Sequence, residues 1–228
     1  MIDIFIIKNI NKSIKNNCRK SFLGMLDEYE IIKYNKIQNI RDREKFLFGR
    51  YILKKIISTY TNQKIIDIKF KYNHFGKPLL SDNLLNFNLS HSEDYLAIGI
   101  SDKEIGVDIE NVKLIDLGMA ETFCTKEELL YIYNSADQYH NFFRLWTLKE
   151  AFIKNIGKGF SFNVRNLSFN LKKLPVVRFS INSRLFKTAN FFTKDINGNI
   201  LSVCHRKAHE EPNVIHFDNI KQINCTKL

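Results

Sequence analysis

The chain has 228 residues, long enough for one large domain or two small lobes with a buried core. Apolar residues make up 44%, which excludes an intrinsically disordered chain, and Lys plus Arg outnumber Asp plus Glu by 35 to 24. The net charge of +11 favours an anionic partner: a nucleic acid, a phosphorylated cofactor, an acidic protein or an anionic membrane.

The first seven residues are apolar but short, carry Asp3 and lack a basic leading segment. They read as a strand, not a signal peptide. No run approaches the ~18 apolar residues of a membrane span. Cys18, Cys124, Cys204 and Cys225 are scattered without metal-ligand spacing, which fits free thiols in a reducing cytoplasm.

A helical region with breaks is expected over 13–60. Its second part, 39–60, carries Phe46, Leu47, Ile52, Leu53, Ile56 and Ile57 at helical spacing, with Asp42 near its start, where a carboxylate suits the helix dipole. The basic residues Lys33, Lys36, Arg41, Arg43, Lys45 and Arg50 lie before and within it. Alternation predicts a strand over 64–72, with Ile66, Ile68 and Phe70 on one face. Gly76-Lys77-Pro78 reads as a turn, and strands are expected over 85–90 and 95–101.

In Ile105-Gly-Val-Asp-Ile-Glu110, a strand sends Ile105, Val107 and Ile109 to one side and Gly106, Asp108 and Glu110 to the other. The two like charges repel unless a cation sits between them. The stretch 116–135 is expected to be mostly helical, with a capping box at Thr125-Lys-Glu-Glu128. Beyond residue 159 the chain turns strand-rich over 166–172, 175–181, 188–194 and 200–205. Asn197-Gly198 reads as a hairpin turn.

Residues 141–159 form the most informative stretch. Phe142, Leu145, Trp146, Phe152, Ile153 and Ile156 fall on one helical stripe, and Gly157 supplies the stop. Lys149 interrupts that stripe, and Glu150 and Lys154 lie one turn apart on its flank. A Glu–Lys pair at this spacing is ordinarily a surface pair contributing about 0.2–0.5 kcal/mol. A buried Lys149 would need a carboxylate or phosphate partner.

Taken together, Gly76-Lys-Pro78, Asn88-Leu-Ser-His-Ser92, Gly106-Val-Asp-Ile-Glu110, Trp146-Thr-Leu-Lys-Glu-Ala-Phe-Ile-Lys154 and Gly157-Lys-Gly159 resemble the 4'-phosphopantetheinyl transferases. The likeness is to the long, pseudo-dimeric type that activates peptide and polyketide synthases, and it spans residues 33–159. A metal-dependent nuclease could also use an acid pair and a helical Glu and Lys, and a basic binding module would need no acids. The Gly-Lys-Pro turn and the His-Ser strand end set the transferase apart.

The resemblance implies transfer of the phosphopantetheine arm of coenzyme A to a serine of an acyl, peptidyl or aryl carrier protein. Mg²⁺ would assist and adenosine 3',5'-bisphosphate would leave. Asp108, Glu110 and Glu150 would hold the metal, with Glu150 and Lys154 as the catalytic pair. Lys33, Lys45, Lys77, Ser90 and His91 would contact coenzyme A, together with Asp108 and Lys154. Apart from the resemblance, the region 116–128, with Met119, Phe123 and Cys124, is the expected carrier-docking patch because it follows the strand with the acid pair. The implied fold is α+β: two similar lobes related by pseudo-two-fold symmetry, each a small, mainly antiparallel sheet packed on a helix. An N-terminal lobe over 1–103 would bind the nucleotide, and a C-terminal lobe over 104–228 would carry the metal site and the catalytic helix. A cytoplasmic monomer is expected, with neither nucleic acid nor membrane as partner.

Overall fold

The computed structural model describes residues 1–15, 22–171, 178–181, 184–185, 189–207, 210–219 and 222–223. Strand β1 (Ile2–Ile7) leads into helices α1 (Ile10–Lys15), α2 (Glu28–Lys36) and α3 (Ile40–Thr61). Two short strands follow, β2 (Phe70–Tyr72) and β3 (Pro78–Leu80), then β4 (Asn86–Ser92) and β5 (Tyr95–Ser101). Strand β6 (Ile105–Asn111) opens a second series with helices α4 (Lys126–Tyr133) and α5 (Gln138–Ile156). It continues through β7 (Leu167–Asn170), β8 (Arg178–Ile181) and β9 (Arg184–Leu185) to β10 (Asn190–Ile196), β11 (Asn199–His205) and β12 (Asn213–Phe217).

Period-two alternation explains how the layers stack. In β1, Phe5 and Ile7 face α3, where Leu47, Phe48, Ile52, Leu53, Ile56 and Ile57 close one core. Ile2, Ile4 and Ile6 face the other way, onto Ile105, Val107 and Ile109 of β6 and Leu201 and Val203 of β11. Helix α5 covers the far side of the second sheet with Leu145, Leu148, Ala151 and Phe152. The order is therefore helix, sheet, sheet, helix. Each fully buried Ile, Leu or Phe contributes about 1.5–3 kcal/mol, so the three cores are the bulk of the stabilising free energy.

The first sheet runs β12-β1-β5-β4 and the second β10-β11-β6. Both are antiparallel except for β1 with β12. The halves repeat one plan: an opening strand, a capped short helix, a long helix, and a hairpin whose second strand pairs with the opening one. Even the buried charges repeat. Glu30, third residue of α2 and the acid of its capping box, meets Lys54 of α3 at 2.8 Å, and Glu128, third residue of α4 and the acid of its capping box, meets Lys149 of α5 at 2.9 Å. The α+β architecture with two similar lobes is the one the sequence implied.

Two expectations need correction. The alternating stretch 64–72 is a strand only over Phe70–Tyr72, because Ile65–Asp67 closes a 3-10 turn and leaves Ile66 exposed. The last strand, β12, does not stay with the second series. It pairs in parallel with β1, Asp3 beside Asn213 through Ile7 beside Phe217, so residues of the expected 104–228 lobe complete the first sheet. The unpaired edge of β1 and the apolar Phe217 account for this: closing that edge satisfies its amides and covers Phe5, which stacks on Phe217. The hairpin turn at Asn197-Gly198 forms as read, with φ of 48° and 76°. The expected strand over 175–181 lies partly outside the described residues, as do Cys18 and Cys225.

Candidate active site

Two strand edges meet where the lobes join. β4 and β6 belong to different sheets, yet they run side by side and are tied by side chains. Asn88 Oδ1 accepts from Val107 N–H at 2.8 Å, Ser90 Oγ donates to Asp108 Oδ1 at 2.8 Å, and Ser92 Oγ donates to Glu110 Oε2 at 2.7 Å. The near-constant offset means that Asn88, Ser90 and Ser92, at strand period two, all reach across the same seam. Sequence reading missed Asn88 and Ser92 as site residues. The signal was available in the two-residue spacing, which matches that of Asp108 and Glu110.

Lys154, on α5, closes the arrangement. Its Nζ donates to Asp108 Oδ1 at 2.7 Å and to Ser90 Oγ at 2.9 Å. Asp108 is only 2% exposed, and its Oδ2 is buried with no hydrogen-bond partner among the described residues. Glu150 lies one turn before Lys154 and is half-buried. Burial raises its pKa above the usual carboxylate range, the Asp108 and Glu110 charges add to the rise, and Lys154 opposes it. Burial likewise raises Glu110, with Asp108 adding and the Ser92 hydrogen bond opposing.

The position of Glu150 depends on α5. Asp137 caps its start, accepting from His140 N–H, and Gly157 ends it at φ 67°. Trp146 and Ile156 are only half-buried on the predicted stripe, whereas Lys149 is fully buried. Of the two partners the sequence left open for Lys149, the ammonium finds a carboxylate, Glu128 Oε2, plus the carbonyls of Val164 and Leu167.

The site opens into a cleft of about 760 Å³, whose walls include Lys33, Lys77, Asn88, Trp146, Glu150 and Lys154. Lys77 is on the wall, but its Nζ donates to the carbonyls of Asn155 at 3.0 Å and Ile105 at 3.3 Å. There it caps the last turn of α5, and burial lowers its pKa to about 8. Asn73 docks the same turn by donating to Gly157 O at 2.8 Å. The Lys33 ammonium stands 5.9 Å from the centre of the Phe46 ring, its pKa lowered by burial and by Arg50. His91 keeps an exposed edge, yet enough protein surrounds it to lower its pKa, and the Lys45 and Lys154 charges lower it further. The structure thus bonds Ser90, Asp108 and Lys154 to one another and Glu110 to the neighbouring Ser92, with Glu150 one turn before Lys154 on the cleft wall that Lys33 and Lys77 also line. Of the expected docking residues, Met119 is exposed while Phe123 and Cys124 are buried.

Metal fit follows from the donor set. Three carboxylates sense one another's charge, and one buried oxygen lacks a partner, which suits a hard cation. Among the described residues no three His, Cys, Asp or Glu side chains form a ready-made cage, so substrate oxygens would have to complete the coordination.

The second lobe carries the acids alone. Counting from the matched lysines, Lys55 in α3 stands where Glu150 stands in α5. Matching the intersheet residues Ile2, Ile4 and Ile6 to Ile105, Val107 and Ile109 puts Phe5 and Ile7 where Asp108 and Glu110 stand. The repeat therefore yields one acidic site, not two.

A family model described as the 4'-phosphopantetheinyl transferase superfamily matches residues 104–204, and one described as 4'-phosphopantetheinyl transferase, N-terminal, matches residues 17–103. The chain is 29% identical over 188 residues to the 4'-phosphopantetheinyl transferase gsp of Aneurinibacillus migulanus, covering 81% of this chain and 78% of that protein. It is 28% identical over 165 residues to the 4'-phosphopantetheinyl transferase Sfp of Bacillus subtilis (strain 168), covering 71% and 74%. A solved holo-[acyl-carrier-protein] synthase of Neisseria meningitidis is similar over 46% of this chain and 98% of that one, at 21% identity and a TM-score of 0.39. Among the described residues no helix is long and apolar enough to cross a membrane. With contiguous family matches from residue 17 to residue 204 laid over both lobes and the acidic seam, the chain belongs to the 4'-phosphopantetheinyl transferases of the Sfp type.

Proposed function

We propose that this chain transfers the 4'-phosphopantetheine group of coenzyme A to a serine hydroxyl of an apo carrier protein, releasing adenosine 3',5'-bisphosphate. The observation that carries the reading is the bonded set Ser90, Asp108 and Lys154, with Glu110 two residues beyond Asp108 and Glu150 one turn before Lys154, beside a cleft of about 760 Å³. The serine oxygen forms a bond to the phosphorus next to the pantetheine arm, and the pyrophosphate P–O bond breaks.

Such a transfer is driven mainly by positioning and charge neutralisation. Asp108, Glu110 and Glu150 would hold Mg²⁺, which when bound polarises the diphosphate. Glu150 takes the serine proton, directly or through one water. Lys154 moves its ammonium from Asp108 and Ser90 toward the leaving phosphate. Ser90, His91 and Lys45 sit where the nucleotide end would lie, with Lys33 farther along the cleft. Lys77 serves that end indirectly, by fixing the turn against α5. The first sheet and its helices accordingly handle the nucleotide, and β6 with α5 the chemistry.

The chain acts as a monomer, because both lobes of the cleft come from one chain, and the cytoplasm is its place of work. The +11 charge suits an acidic carrier and a polyphosphate substrate. Exposed Met119, with Leu114, Leu130 and Tyr133, offers an apolar docking surface for the carrier. Incubation with coenzyme A, Mg²⁺ and an apo carrier, followed by intact-mass analysis, tests the reading. A carrier that gains one phosphopantetheine group supports it; an unchanged carrier across a panel of acyl, peptidyl and aryl carriers rejects it.

A further inference from the structure

Ser92 is buried at the end of β4, and its hydroxyl is fully committed. The oxygen accepts from Asn111 N–H at 3.1 Å, a donor fixed by the β6 backbone. The hydroxyl proton is then free for a single direction, toward Glu110 Oε2 at 2.7 Å. Asp108 is held twice over, by Ser90 and by Lys154. Glu110 has a longer side chain, and fixing it costs rotamer entropy. Ser92 supplies that restraint before any ligand arrives, and occupying Oε2 leaves Oε1 as the oxygen free to turn toward an ion.

We propose that Ser92 is a positioning residue: its hydroxyl, locked by the Asn111 amide, holds the Glu110 carboxylate across the β4–β6 seam in the orientation that receives the divalent ion. This rests on the transferase reading of the site. It also gives the seam a mechanical meaning, since the strand that carries Ser90 and His91 toward the nucleotide sets a metal carboxylate with the same register. A hydrogen bond to a metal carboxylate of this kind is typically worth about 10–100-fold in metal affinity.

The test measures Mn²⁺ binding, by the free-ion electron paramagnetic resonance signal, in the wild-type chain and in Ser92→Ala, Ser92→Thr and Ser92→Cys, each with coenzyme A present. Mg²⁺ titrations of carrier transfer run in parallel. Ser92→Ala and Ser92→Cys should bind Mn²⁺ at least about tenfold more weakly. They should also need correspondingly more Mg²⁺ for half-maximal transfer, and transfer at saturating Mg²⁺ should recover. Ser92→Thr, which keeps the hydroxyl, should bind like wild type. Equal Mn²⁺ affinity in the Cys and Thr variants overturns the proposal even if the Ala variant fails to fold, because those two differ in the donor. A wild-type chain that binds Mn²⁺ and transfers normally while Ser92→Ala matches it sinks the role of Ser92 alone. A wild-type chain that modifies no carrier sinks the transferase reading and this inference with it.

Discussion

Gly106 of β6 lies so close to α5 that a Cβ there would stand 2.0 Å from Ala151 O and 2.4 Å from Asn155 N. Both neighbours are helix backbone, so neither can yield by a rotamer change. The absent side chain lets β6 touch the helix that carries Glu150 and Lys154. Gly106→Ala should therefore lower stability by about 1–3 kcal/mol through overpacking. It should lower transfer further than stability alone accounts for, since a displacement of about 1 Å at a catalytic group can cost 100-fold. Urea unfolding beside transfer kinetics, at a temperature where the variant is folded, separates the two effects. Unchanged transfer would mean that α5 moves without disturbing Glu150.

The Glu128–Lys149 pair invites a catalytic reading because Lys149 precedes Glu150, but its counterpart in the other lobe argues otherwise. Glu30 and Lys54 make the same bond where no acidic site exists. Both pairs tie a capped helix to a long one, and Glu128 also accepts from Phe169 N–H. Lys149→Met should cost about 3–5 kcal/mol, because it strands a buried carboxylate. The double variant Lys149→Met with Glu128→Gln should regain part of that loss. Urea midpoints for the two variants decide; if the double variant is no better than the single, an uncompensated charge is not the cause.

The sequence carried the long-helix stripe, the acid pair on β6, the capping box at Thr125 and the Asn197-Gly198 turn, because each is a local rule with a fixed period or a fixed dihedral demand. Lys149 announced its partner by its position in an apolar stripe, though not which acid. What stayed hidden depends on contacts between distant segments. Nothing local in β12 says that it joins β1 some two hundred positions earlier. The strand pattern over 64–72 was a period-two pattern that a 3-10 turn interrupts. Lys77, implied to meet a phosphate, also reaches two carbonyls, contacts fixed by where α5 ends relative to the turn. Phe123 likewise looked like surface only because the aromatics it packs against, Phe142 and Trp146, come later in the chain.

Three histidines, His91, His205 and His216, have pKa values lowered mainly by burial. A lowered histidine pKa means that the unfolded chain binds more protons in the window between the folded value and 6.5. Stability should hold at neutral pH and fall as pH drops below about 6.5. His205 should dominate, since it is buried and its Nδ1 has no partner among the described residues. Replacing it with Asn should flatten the fall in urea-derived stability between pH 7 and pH 5. An unaltered slope would assign the effect to the other two.

Glu150 should behave oppositely. Its folded pKa lies above the usual 4.5, so the native state binds its proton more tightly than the unfolded chain does. The carboxylate therefore burdens stability once pH rises through the folded pKa, and the burden vanishes below about 4.5. At pH 7 in chelator, Glu150→Gln should melt at or above the wild-type temperature, because the change removes a charge that repels Asp108 and Glu110. With Mg²⁺ and coenzyme A the order should reverse, since ligand binding stabilises the wild-type chain more. Transfer in the variant should drop by about 10²–10⁴-fold, the range for loss of a general base. Scanning calorimetry in chelator and in Mg²⁺ with coenzyme A checks the crossover. A variant less stable than wild type in chelator would mean that Glu150 is held by a bond that offsets its repulsion, and the electrostatic account of the acid cluster would fail there.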